Sequence, residues 1–145
     1  MTIRVVADTH AVLWYLYNDS RLSRAAGAVM DATDAAGEQI AMSSIALTEM
    51  VYLIEKGRID AAAFERVLMA MDRPNATLVE IPLDRVIAQA MRRIDRTQVP
   101  DLPDRIVAAT ALHLGVQKIP KSPVRCRLEI TQNPVLSKIP HDFSR

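Results

Sequence analysis

The chain has 145 residues, of which 50% are hydrophobic and 24% are charged, and its formal net charge is +1. This composition predicts a single globular domain over residues 1–145 and excludes a general electrostatic attraction to nucleic acid. A single cysteine, Cys126, excludes an internal disulfide. No apolar run reaches the ~20 residues of a membrane span, and the N-terminus does not resemble a signal peptide. We therefore expect a cytoplasmic protein without a membrane partner.

Strand and helix patterns alternate along most of the sequence. In chain order they predict a strand at 3–7, helices at 10–17 and 22–36, a strand at 39–42, helices at 45–56 and 61–71, a strand at 77–81, a helix at 83–96, a helix with Pro103 in its first turn and an apolar stretch at 106–114, and strands at 116–119 and 128–131. This alternation is typical of an α/β fold in which helices cover both faces of a parallel sheet. In such folds ligands bind beyond the carboxyl ends of the strands.

Three acids lie at positions that would be close together at the carboxyl edge of such a sheet. Asp8 directly follows the first strand, Glu49 lies in the early turns of helix 45–56, and Asp104 lies at the start of a late helix. Carboxylates that converge in space repel one another, and a divalent cation relieves the repulsion. Mg²⁺ prefers oxygen ligands, often one or two carboxylates with waters and substrate phosphates. The pattern therefore predicts a metal site that does phosphate chemistry.

Each acid also has a structural explanation that the sequence leaves open. Asp8 could cap the first helix, whereas Glu49 and Asp104 could be helix residues that suit the helix dipole. Asp101 is explained more simply as a cap or a partner of Arg105 than as a metal ligand.

The basic residues near the end of helix 83–96 also have two explanations. Arg92, Arg93 and Arg96 could form a solvated helix end that suits the dipole. The alternative is a rim that contacts RNA phosphates.

Three sequence segments together resemble PIN-domain ribonucleases, specifically the VapC-type toxins of bacterial toxin–antitoxin pairs. The first is Val-Val-Ala-Asp-Thr-His-Ala-Val-Leu-Trp at residues 5–14. The second is Met-Ser-Ser-Ile-Ala-Leu-Thr-Glu-Met at residues 42–50, followed by Tyr-Leu-Ile-Glu-Lys-Gly-Arg-Ile at residues 52–59. The third is Asp-Leu-Pro-Asp-Arg-Ile-Val-Ala-Ala-Thr-Ala-Leu at residues 101–112. No single segment is specific, but their order and spacing are.

The resemblance implies a three-layer α/β/α sandwich with a mainly parallel sheet, and a role for each matching residue. Asp8, Glu49 and Asp104 match the catalytic acids that hold Mg²⁺ or Mn²⁺ in the family. Asp101, Ser43 or Ser44, and Arg105 match neighbouring positions and are accessory candidates. Arg105 lies beside the site and could contact a phosphate. The implied reaction is endonucleolytic hydrolysis of an RNA phosphodiester by metal-activated water. The implied partners are a VapB-type antitoxin and a second copy of the chain in a homodimer.

The chain departs from the family pattern in a divergent C-terminal segment that begins at about residue 116. The family expects a strand there, followed by a fourth acid, but residues 116–125 contain no acid. Glu129 is the next acid, and its position matches the family pattern poorly. This difference supports an alternative function, in which a catalytically weakened PIN module acts mainly by binding protein or RNA.

Overall fold

The computed structural model describes residues 2–119 of the protein. Its elements are β1 (Ile3–Ala7), α1 (Thr9–Leu16), α2 (Arg24–Ala35), β2 (Gln39–Ser43), α3 (Ser44–Glu55), α4 (Ala61–Met71), β3 (Leu78–Ile81), α5 (Arg85–Met91), α6 (Leu102–Leu114) and β4 (Gln117–Lys118). The strands form one sheet in the order β3–β2–β1–β4, and every pair is parallel. The predicted α/β class with a parallel sheet is confirmed. The strand predicted at 128–131 lies outside the described residues.

The side chains of β1 alternate between two cores on opposite faces of the sheet. Val5 and Ala7 belong to the larger core, which the helices α1 to α4 complete with Ala11, Met30, Ala46, Met50 and Val67 among others. Val6 faces the other way and packs with Val107 and Ala111 of α6. Because alternate residues of a strand point to opposite faces, this pattern places α1 to α4 on one face and α6 on the other. The predicted three-layer arrangement is therefore confirmed.

The helices α5 and α6 form an antiparallel pair with a small core of their own. Ile87 of α5 packs with Ile106 and Ala109 of α6, and side chains near the end of α5 join them. The prediction of one helix over 83–96 is wrong at both ends. Asp84 caps the helix by accepting from two backbone N–H groups, so α5 begins after it. Beyond Met91, at residues 92–94, each backbone N–H donates to the carbonyl oxygen three residues earlier instead of four, as in a 3₁₀-helix, and the α-helix ends there.

The late helix, predicted with Pro103 in its first turn and an apolar stretch at 106–114, runs from Leu102 to Leu114, so its predicted start is confirmed to within one residue. Asp101 caps it by accepting from the N–H of Asp104, and a proline occupies its first turn. Within the described part of the chain, no helix is long and apolar enough to cross a membrane.

Two glycines predict opposite effects on stability. Gly115 ends α6 with a φ of 67°, a conformation that strains any residue with a Cβ. Gly115→Ala is expected to lower the free energy of unfolding by about 1 kcal/mol.

Gly27 lies inside α2, where a Cβ would meet Leu22 Cδ2 at 3.7 Å, an ordinary contact. Gly27→Ala is expected to raise the free energy of unfolding by about 0.5–1 kcal/mol, because alanine loses less entropy in a helix. Urea denaturation measures both, and the same sign in both variants would contradict the interpretation.

Candidate active site

Asp8 lies at the carboxyl end of β1 and is buried, with 3% of its surface exposed. Its Oδ1 accepts a hydrogen bond from the N–H of Ala11 at 2.9 Å, so the side chain caps α1. The backbone at Asp8 is extended and continues the alternation of β1. Asp8 therefore lies on the same side of the sheet as Val6, which is the side that α6 covers.

Asp104 lies in the first turn of α6 and is also buried, with 9% of its surface exposed. It shares a helix stripe with Val107 and Ala111, since residues three and four apart lie on one face of a helix. Val107 and Ala111 pack against Val6 of β1. Because α6 precedes β4, which runs parallel to β1, its N-terminal end lies at the carboxyl edge of the sheet. Asp8 and Asp104 therefore share both a face and an edge.

Glu49 lies in the second turn of α3 and is half-buried. Its Oε1 is 3.5 Å from the hydroxyl oxygen of Thr9, which also lies 3.4 Å from the carbonyl oxygen of Ala46. Both distances are long for hydrogen bonds from a hydroxyl. Since Thr9 follows Asp8 in the chain, these contacts place Glu49 next to the start of α1. The structure thus brings all three predicted acids to one region.

Ser43 and Ser44 hold the carboxyl end of β2. Ser43 is buried, and its Oγ accepts from the N–H of Ile45 at 3.3 Å, which makes it the N-cap of α3. The Oγ of Ser44 accepts from the N–H of Leu83 at 2.9 Å. This second bond joins the start of α3 to the segment that follows β3. Both serines therefore act on the backbone of the edge where the acids lie.

Arg105 joins α6 to α5. Its Nη2 donates to the carbonyl oxygens of Met91 at 3.2 Å and Ile94 at 3.4 Å. Residues 2–119 contain no ion pair between Arg105 and Asp101, so the pairing considered from the sequence is wrong. Asp101 instead acts as the N-cap of α6, which was the other explanation.

Two contacts at this edge have no counterpart in the sequence prediction. The buried hydroxyl of Thr9 contacts α3, and Ser44 reaches the segment after β3. The signal that could have indicated them is a polar residue directly after a buried strand, at the point where a helix begins.

A PIN domain family profile matches residues 5–122, which is well over half of the chain. The chain belongs to the PIN domain family. No curated protein matches it. PIN domains are generally nucleases, bind RNA and typically use divalent metal ions. The predicted resemblance to the PIN family is therefore confirmed, and the molecule has a nuclease-type fold.

The donor groups of this PIN domain fit a hard cation in their chemistry. All three acids offer carboxylate oxygens, and two of them lie at helix N-termini, where the dipole favours negative charge. Within residues 2–119, no three His, Cys, Asp or Glu side chains lie close enough together to hold a metal ion. Mg²⁺ is commonly bound through only one or two carboxylates, with waters and phosphates completing its shell. Asp8 and Asp104, which share a face and an edge of the sheet, offer carboxylates of that kind and number.

The N-cap of α6 in this PIN domain predicts a difference between two substitutions at one position. Asp101→Ala removes the acceptor for the N–H of Asp104 and is expected to lower the free energy of unfolding by about 1 kcal/mol. Asp101→Asn keeps a side-chain oxygen, and Asn and Asp are about equally good N-cap residues. Its free energy of unfolding should therefore stay within roughly a few tenths of a kcal/mol of the parent value. Chemical denaturation at neutral pH measures both. Equal losses in the two variants would argue against the cap.

The link between α5 and α6 makes a second stability prediction. Arg105→Met removes a charged donor from two carbonyl groups and is expected to lower the free energy of unfolding by about 1–2 kcal/mol. Arg92→Met is the matched control, since Arg92 is exposed and should change stability by less than about 0.5 kcal/mol. Denaturant titrations of both variants provide the measurement. An equal effect at the two positions would show that Arg105 does not link the helices.

Proposed function

We propose that this PIN domain is a metal-dependent endoribonuclease of VapC type, which a VapB-type antitoxin neutralises. The observation that carries the proposal is the burial of Asp8 and Asp104 on one face and at one edge of the sheet. Burying one carboxylate costs free energy, and two like charges in the same region repel one another as well. In a nuclease-type fold, a cation bound between them is the simplest reason to keep such a pair.

Asp8 and Asp104, with Glu49, would hold Mg²⁺ or Mn²⁺. When bound, the cation lowers the pKa of a coordinated water and polarises the scissile phosphate. The protein contributes the positions of the acids. The N–H of Ala11 fixes one oxygen of Asp8, and the Asp101 cap fixes the turn that carries Asp104. Such preorganisation reduces the reorganisation needed when charge develops on the phosphate.

The toxin role, the antitoxin and the homodimer are supported by the sequence resemblance to VapC-type proteins. Exposed apolar side chains in the described part of the chain support one surface for a protein partner. Most of the apolar face of α4 packs inside the molecule, with Val67 fully buried. Large apolar side chains remain exposed on α3 and α4: Val51 at 42%, Tyr52 at 56% and Met69 at 65%. We propose the outer surface of α3 and α4 as the partner surface, because exposed apolar surface often marks interaction sites.

A second candidate function is a PIN module that binds RNA or protein with little or no cleavage. Two observations favour it: residues 116–125 contain no acid, and residues 2–119 contain no group of three potential metal ligands. The two functions differ in whether the purified protein turns over RNA. Both keep the same fold and both allow RNA binding.

The leading function predicts that two conservative substitutions abolish RNA cleavage. Asp8→Asn and Asp104→Asn are each expected to lower the cleavage rate at least about 100-fold, because each removes the charge of a proposed metal ligand. This loss exceeds what is typical when a residue that only hydrogen-bonds to a metal ligand is replaced. Asp8→Asn should still cap α1. The rate is measured on a labelled single-stranded RNA in Mg²⁺ or Mn²⁺, with a chelator as the negative control.

Asp60→Asn is the matched control variant. Asp60 also caps a helix, α4, but it is exposed and lies outside the candidate active site. The Asp60→Asn variant should therefore cleave RNA at the parent rate. Binding of Mn²⁺, followed by electron paramagnetic resonance, should weaken in Asp8→Asn and Asp104→Asn but not in Asp60→Asn. Cleavage at the parent rate in either site variant, or in excess chelator, would rule out the metal mechanism. Metal binding without cleavage by the parent would favour the second function.

A further inference from the structure

Three exposed arginines lie in the short segment that follows α5. We call residues 92–96 the arginine turn, and its exposed cations are Arg92, Arg93 and Arg96. Within residues 2–119, none of their guanidinium groups is in an ion pair. The one acid of the turn, Asp95, accepts from the backbone N–H of Thr97 at 2.8 Å and from its hydroxyl at 2.7 Å. These bonds, and to a smaller extent the charge of Arg96, lower the pKa of Asp95. The segment still carries three cations against one anion.

The arginine turn is fixed next to the helix that carries Asp104. Since α5 and α6 are antiparallel, the C-terminal end of α5 lies beside the first turns of α6. Arg105, the residue after Asp104, donates to the carbonyl of Met91 just before the turn and to that of Ile94 within it. The side chain of Ile94 packs into the core shared by the two helices. The cations are therefore held at the same end of α6 as the candidate active site.

We propose that the arginine turn binds the phosphate backbone of the RNA strand that the active site takes, and that Arg105 is the residue that positions it. This inference rests on the proposed function and adds the surface through which that function obtains its substrate. The formal net charge of the whole chain is only +1, so its affinity for a polyanion must come from a local group of cations. Exposed guanidinium groups that are in no ion pair within residues 2–119 can contact phosphates.

Phosphate contacts leave a specific signature in the salt dependence of binding. Each contact to a single strand contributes about −0.7 to the slope of log K against log salt concentration. Replacing all three arginines by glutamine should therefore reduce the magnitude of the slope by about 2. The reduction of the slope should be the same for RNAs of different sequence, because contacts to the phosphate backbone do not depend on the bases.

The experiment measures the anisotropy of a fluorescein-labelled uridine RNA of about 20 nucleotides, long enough for a single-strand groove. The full chain is used in EDTA, which stops metal-dependent cleavage during the titration. The test variant combines Arg92→Gln, Arg93→Gln and Arg96→Gln. The control variant removes three exposed arginines from the α1 to α4 side of the sheet, by Arg24→Gln, Arg58→Gln and Arg73→Gln. It has the same net charge as the test variant, so only the position of the lost charge differs.

A reduced slope in the test variant, with the parent slope kept in the control, supports the proposal. Equal slopes in the two variants, or no RNA binding by the parent, would overturn it. A third variant combines Arg92→Lys, Arg93→Lys and Arg96→Lys. It keeps the charge and should keep the salt slope of the parent. If its salt slope falls as far as that of the glutamine variant, the effect comes from a change in structure and the proposal fails.

The positioning role of Arg105 has its own arm in this experiment. Arg105→Lys keeps the cation but cannot reach two carbonyl groups with the same planar fork. It should weaken RNA binding several-fold while the salt slope stays near that of the parent, since the three arginines remain. A slope that falls as far as in the glutamine variant would mean that Arg105 itself contacts phosphate, which overturns its positioning role.

Cleavage by the parent in Mn²⁺ separates this inference from the proposed function. If the parent cleaves RNA and the two triple variants have equal slopes, the nuclease stands and the arginine turn does not. If the parent binds through the arginine turn and does not cleave, the nuclease proposal fails while the binding surface remains.

Discussion

The parallel pairing of β1 with β2 on one side and with β4 on the other determines where the acids lie. The chain leaves β1 to build the sheet through β2 and β3, then returns by α6 to place β4 on the free side of β1. The two directions diverge at the carboxyl end of β1, which is where ligands bind in open parallel sheets. Asp8 occupies that end, and α6 must begin beside it in order to lead into β4. The position of Asp104 thus follows from the topology.

The same groups that stabilise the edge also prepare it for chemistry. Asp8 caps α1, Ser43 caps α3 and Asp101 caps α6, so three helices begin at one edge, each with one of its first N–H groups bonded to a side chain. Aligned helix N-termini favour negative charge, which offsets part of the cost of burying Asp8 and Asp104. A structural role for Asp8 therefore does not argue against a functional one. The cap fixes one of its oxygens, and with it the orientation of the whole carboxylate.

How much the sequence could predict depends on whether local patterns decide the structure. The bounds of β1 and α4 match their predictions, since apolar runs and periodicity set them. The end of α5 does not, because basic residues with good helix propensity continue beyond Met91. Its end depends on Arg105, from a different helix, which binds the carbonyls there. Similarly, motif order indicated the acids, but the contact between Thr9 and Glu49 spans elements far apart in sequence, which no local pattern encodes.

The charges of this end of the molecule explain why acids and arginines belong together. An edge with buried carboxylates repels a phosphate backbone, and a net charge of +1 over the whole chain does little to offset that repulsion. A cation on the acids would reverse the sign at the scissile phosphate, but its effect at neighbouring phosphates falls off within about a Debye length, ~8–10 Å. Cations on the arginine turn would extend the attraction to those neighbours. Because Arg105 follows Asp104 directly, a single turn of α6 carries both the acid that would hold the metal and the residue that fixes the arginines. Binding and cleavage in this arrangement would depend on the same helix terminus, so a shift of α6 would disturb both together.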